Sequence, residues 1–127
     1  MKLRIHGNSL RFRLNRTDIE ILDRTGLCEE QVRFGSGSRL VYALEASSVT
    51  AIESEFSGGA IRVRVPLQMA RTWTTSSQIA LVTDRAGSDG PSLLIEKDFE
   101  CLHRDERTEQ DDANAFPNPK ASTAHRD

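Results

Sequence analysis

Five cations open this chain with no acid among them: Lys2, Arg4, Arg11, Arg13 and Arg16. The spacing is the informative part. Residues 2–6, Lys-Leu-Arg-Ile-His, and 10–14, Leu-Arg-Phe-Arg-Leu, alternate charge with apolar side chains. Alternation at period two puts the charged set on one face of a strand and the apolar set on the other. Arg62 and Arg64 repeat the motif inside Ile61-Arg-Val-Arg-Val65. Guanidinium forks suit phosphate oxygens. Arg11, Arg13, Arg62 and Arg64 are therefore the candidate anion or nucleic-acid surface. The same pattern also describes a solvated sheet face, with arginines paired across strands to acids such as Glu45, Glu53 and Glu55. The two readings differ in one observable. Acids within about 10 Å of the arginines would cancel their field within a Debye length.

A second set is acidic. Glu96, Asp98 and Glu100 alternate, so a strand places all three on one face. Three carboxylates can hold Mg²⁺ or Ca²⁺. Closed tunnels that process triphosphates also use alternating Glu and Arg pointing inward. Here the apolar face is the opposite one, which turns the acids outward. Cys101 and His103 share a face, with His6 as a further candidate, but two ligands fall short of a zinc site. Cys28 has no basic neighbour in sequence to activate it. The serines show no nucleophile elbow, and Gly58-Gly59 reads as a hairpin turn. The expectation is no catalytic residue, no metal and no cofactor.

The elements that hold these residues can be read in order. Gly7-Asn8-Ser9 turns the first hairpin. Thr17 with Glu20 three residues on predicts a capped helix over about 17–25, stopped at Gly26. Residues 28–34 and 39–46 predict a second hairpin around Gly35-Ser36-Gly37-Ser38. The plan then recurs. Residues 49–56 and 60–65 pair around Ser57-Gly58-Gly59. A helix follows Pro66, with Met69, Ala70 and Trp73 on one face, and Trp73 is assigned to the core. Residues 78–83 and 92–97 close the series. At an offset of 51, Gly7 falls on Gly58, Arg11 on Arg62, Arg13 on Arg64, Leu22 on Trp73 and Glu45 on Glu96. The predicted fold class is α+β, mostly β. Two ββαββ-like units, 1–46 and 49–100, form a pseudo-two-fold barrel-like domain with two short helices.

One globular domain is expected over 1–102, carrying 13 basic and 13 acidic side chains. Residues 103–127 read as a flexible polar tail whose one large apolar residue is Phe116. Charged residues make up 28% of the chain, with 17 basic against 19 acidic, which gives no global support to a nucleic-acid module. No run of about 18 apolar residues is present to span a membrane. The alternating N-terminus lacks the apolar stretch of a secretory signal, and two cysteines are too few for a disulfide framework. A cytoplasmic location follows as an expectation.

Two resemblances add to this. Ile61-Arg-Val-Arg-Val-Pro66, the helix with Ala70 and Trp73, and Ile79-Ala-Leu81 resemble the AbrB-type swapped-hairpin domain. That family implies bacterial dimers that often bind DNA through basic residues; here both halves lie in one chain. Asn15 stands where the first unit's proline would be, and Ser76-Ser77-Gln78 replaces the usual Gly-Asp. The segments Lys2–Leu14, Glu96–Leu102 and Phe116-Pro117-Asn118-Pro119 look like a small family of uncharacterised bacterial proteins. That resemblance supplies no catalytic residues. It implies a docked segment at Phe116, Pro117 and Pro119. The functional expectation is a non-enzymatic binding or regulatory module with a protein partner. Its alternatives are a DNA-binding regulator using the arginine face and a metal-dependent phosphate-processing enzyme.

Overall fold

A computed structural model describes residues 1–83, 90–99 and 115–117. The chain runs β1 (Lys2–His6), β2 (Ser9–Leu14), α1 (Arg16–Thr25), β3 (Leu27–Arg33), β4 (Arg39–Ser47), β5 (Glu53–Ser57), β6 (Ala60–Pro66), α2 (Leu67–Thr75), β7 (Ala80–Thr83) and β8 (Ser92–Lys97). The α+β, mostly β class is as the sequence predicts.

Each turn and cap has a local cause. Gly7 and Gly58 occupy the same place in their hairpins, with φ of 55° and 57°. L side chains resist that region and glycine does not. Gly59 has a second reason to be glycine: a Cβ there would lie 3.1 Å from the carbonyl oxygen of Arg39. The first helix is capped differently from expectation. Asn15, not Thr17, is the N-cap, and its side chain accepts from the Asp18 amide at 2.9 Å. Asp18 returns the bond to the Asn15 amide at 3.0 Å. β2 runs directly into this capping box, so Thr17 is already helical. Gly26, at φ 80°, ends α1 with its amide donating to the Leu22 carbonyl at 2.8 Å. Pro66 takes the N-cap place of α2 without a side-chain bond; its fixed φ does part of the same work.

The sheets are built by exchange. One has the order β1-β2-β8-β7 and the other β3-β4-β6-β5. Each ββαββ unit thus gives one hairpin to each sheet. The central pairs, β2 with β8 and β4 with β6, are parallel, and the outer pairs are antiparallel. This is a pseudo-two-fold arrangement. The expected barrel is corrected to two four-stranded sheets, since no ladder joins them among the described residues. β5 begins at Glu53 rather than residue 49. Residues 48–52 connect β4 to β5 outside the ladder.

The inner faces of both sheets meet in one core. Phe12, Leu14, Leu81, Leu93 and Ile95 come from one sheet, and Cys28, Leu44, Val63 and Val65 from the other. Leu22 of α1 and Ala70 and Trp73 of α2 join them. Each large side chain so buried contributes about 1.5–3 kcal/mol. Trp73 is fully buried, as expected of a core residue, and its Nε1 donates to the Ile79 carbonyl at 3.1 Å. The helices lie side by side, with the Thr74 hydroxyl donating to Asp23 at 2.9 Å. Asp23 and Thr74 are themselves 51 residues apart, so the pseudo-two-fold relates the two ends of one hydrogen bond.

Candidate functional site

Arg11 and Arg13 alternate with the buried Phe12 and Leu14, so both point away from the core. Antiparallel pairing sets Arg4 opposite Arg11 and Lys2 opposite Arg13. Parallel pairing sets Leu94 beside Arg11 and Glu96 beside Arg13. Glu96 then takes both guanidiniums. The Nε of Arg11 and the Nε of Arg13 each donate to the same oxygen, Oε1, at 2.7 Å. One carboxylate shared by two arginines leaves a net positive triad. Beside it, the Lys2 ammonium lies 3.4 Å from Asp98.

Arg62 and Arg64 do not join this face. They sit on β6 in the other sheet, alternating with Val63 and Val65. Their outward direction is that of the second sheet. The expectation of one surface holding all four arginines is therefore corrected to two surfaces. Arg64 pairs with Glu45 and Glu55, each at 3.3 Å. These are two of the acids that an ordinary solvated sheet face calls for.

The two surfaces match at their centres and differ at their edges. At the offset of 51, the triad Arg11, Arg13 and Glu96 falls on Arg62, Arg64 and Glu45. The edge strands reverse sign: Lys2 falls on Glu53 and Arg4 on Glu55. One outer face gains cations where the other gains acids. The scaffold imposes the same demands on both halves, so a difference of sign at equivalent positions is not something the fold requires.

Of the three alternating acids, which the sequence turns outward without assigning them a metal, Glu96 is the arginines' partner and Asp98 is bound to Lys2; Glu100 lies outside the described residues. Among the described residues no group of three His, Cys, Asp or Glu can hold a metal ion. Sequence inspection paired the arginines with nearby acids and missed Glu96, 83 residues from Arg13. The 51-residue offset carried the signal, because it maps Glu45 onto Glu96.

The remaining candidates separate cleanly. Cys28 is buried, and its thiol donates to Asp18 at 3.8 Å. Burial, then the Asp18 charge, pushes that thiol up to about 11, which makes it a packing residue at neutral pH. Asp18 also meets the Met1 ammonium at 2.9 Å, and Glu30 meets it at 3.0 Å. The Tyr42 hydroxyl donates to the Met1 carbonyl at 3.1 Å. This cluster ties the start of β1 to α1, β3 and β4. Cys101 and His103 lie outside the described residues, and His6 is exposed on β1. Phe116 is 96% exposed and Pro117 is exposed, whereas Pro119 lies outside the described residues.

A groove of about 370 Å³ lies between the helices, floored by Leu22, Ala46 and Ala70 and rimmed by Arg71 and Thr74. Its pseudo-equivalent place carries larger side chains. Trp73 stands for Leu22 and Lys97 for Ala46, with the Lys97 ammonium 5.7 Å over the indole ring. No helix among the described residues is long and apolar enough to cross a membrane.

No curated protein and no solved structure matches the sequence significantly. A family of unknown function does match, over residues 1–120, past the last strand and through Phe116-Pro-Asn-Pro119. On that match, which takes in nearly the whole chain, the protein belongs to the family of unknown function DUF7009.

Proposed function

We propose that this protein is a non-enzymatic binding or regulatory module of the cytoplasm that takes an acidic protein segment on the outer face of β1-β2-β8-β7. One observation carries the reading. On that face Lys2, Arg4, Arg11 and Arg13 adjoin one another, with Glu96 between Arg11 and Arg13 and Asp98 beside Lys2. The contacts to Glu96 use the Nε atoms. The terminal nitrogens of both forks are the ones suited to a further carboxylate. The interior supports the same reading, because the space between the sheets is filled by apolar side chains. A buried thiol at Cys28 suits a reducing compartment.

A second reading is a DNA-binding regulator of the swapped-hairpin kind. The exchange of hairpins between the two sheets favours it, and that exchange is what the AbrB-type resemblance implies. The acids beside the arginines count against it. Glu96 offsets one of the two arginine charges on this face, and Arg62 and Arg64 lie on the other sheet with Arg64 paired to Glu45 and Glu55, so the four arginines do not meet a duplex from one face.

The test is fluorescence anisotropy with a labelled polyglutamate peptide and a labelled random-sequence duplex, at low and moderate salt. Peptide binding that weakens with salt, and falls about tenfold or more in the Arg11→Gln, Arg13→Gln double variant, is the expected result. Duplex binding with a steep salt dependence, lost in the same variant, would transfer the surface to DNA. Binding of neither ligand at low salt would remove the surface from consideration.

A further inference from the structure

β1 and β5 are both edge strands, each hydrogen-bonded on one side only among the described residues: β1 to β2, and β5 to β6. They are equivalent under the pseudo-two-fold and equally long, five residues each. An open edge offers a row of unpaired amides and carbonyls to any other strand. Proteins block such edges with charge, and both strands are charged on their outer face. The charges differ in sign. β1 presents Lys2, Arg4 and His6, whereas β5 presents Glu53, Glu55 and Ser57.

That difference makes the protection selective. Pairing β1 with β1 of another copy sets cation against cation. Pairing β5 with β5 sets acid against acid. Like charges directly opposite destabilise a strand pair. Pairing β1 with β5 sets opposite charges together, so of these three combinations the charges favour this one. The inner faces agree. Ile5 is 59% exposed and Phe56 69% exposed, although each shares its face with core-packed neighbours, Leu10 and Ile61. Two apolar side chains at equivalent edge positions are left open to water.

We propose that the β1 edge of one copy binds the β5 edge of a second copy, extending β1-β2-β8-β7 of one molecule into β3-β4-β6-β5 of the next. In the antiparallel register Leu3 stands opposite Phe56, Arg4 opposite Glu55 and His6 opposite Glu53. Lys2 with Asp98 and Glu55 with Arg64 are surface pairs at 3.4 and 3.3 Å that contribute little, so exchanging them costs little. The contact is head to tail. Copies joined this way form a closed ring or an open chain, according to the rotation between them.

Charge exchange tests this in the full chain, by sedimentation velocity over a range of protein concentrations at low and moderate salt. The wild type associates, and salt weakens the association. The Lys2→Glu, Arg4→Glu variant carries two acidic edges, and the Glu53→Lys, Glu55→Lys variant two basic ones. Each alone associates about tenfold or more weakly. Mixed in equal amounts they associate again, since the acidic β1 of one meets the basic β5 of the other. That rescue separates the proposal from misfolding, because a variant that fails to fold cannot restore a strand pair. A wild type that stays monomeric throughout the range at low salt overturns the proposal. So does association that neither reversal weakens, or a mixture that remains monomeric.

Discussion

Cys28 shows how burial settles what a reactive side chain does. It stands on the inner face of β3 with its thiol toward Asp18. Desolvation, reinforced by the Asp18 charge, raises it from an ordinary 9.0 to about 11. The neutral thiol is therefore favoured by the fold. The sign of the pH effect follows. Below pH 9 both folded and unfolded chains keep the proton, and the stabilisation is fully present. As pH rises from 9 toward 11 the unfolded chain releases its proton and the folded chain retains it, so stability is lost across that window. In a Cys101→Ser variant, iodoacetamide at pH 8 should label Cys28 far more slowly in the native state than in urea. The denaturation midpoint should fall between pH 9 and 11 by more than it does in a Cys28→Ala, Cys101→Ser variant. Equal labelling rates in the two states would show that the thiol is not protected.

At the scale of elements, the first helix was legible in its extent and misread in its start. Its length and its Gly26 stop could be read from sequence, because helix periodicity and left-handed caps are local properties. Its N-cap was harder. Thr17 with Glu20 and Asn15 with Asp18 both satisfy the spacing of a capping box, and only the end of β2 at Leu14 selects the second pair. Asn15→Ala removes the bond that the Asn15 side chain accepts from the Asp18 amide and should cost about 1 kcal/mol in urea denaturation. Thr17→Ala should stay within about 0.5 kcal/mol. The reverse ranking would restore Thr17 as the cap. The edge strands belong to the same scale. Their charge alternation is local, but their status as edges exists only once β2 has paired with β8 and β6 with β4.

The whole molecule is an exchange of hairpins between two units around a shared apolar core. The buried core residues described lie between Phe12 and Ile95. Phe116, the tail's single large apolar residue, is 96% exposed. Phe116→Ala should therefore leave the unfolding midpoint of the full chain unchanged, within about 0.5 kcal/mol. A clear loss of stability would mean that Phe116 docks on its own domain after all. The family match extends through this segment, to residue 120.

The sequence by itself determined what is local or periodic in this protein. Alternation set which side chains enter the core and which face water, glycine at positive φ set the hairpin turns, and the 51-residue offset related the halves. Tertiary structure decided the rest, because strand pairing across the chain has no local signature. Parallel pairing of β2 with β8 brought Glu96 to Arg11 and Arg13. Exchange of hairpins sent Arg11 and Arg13 to one sheet and Arg62 and Arg64 to the other. An arginine's spacing tells which way it points within a strand. Which strands share a sheet depends on how apolar faces from both units close one core, and that is settled only when the whole chain folds.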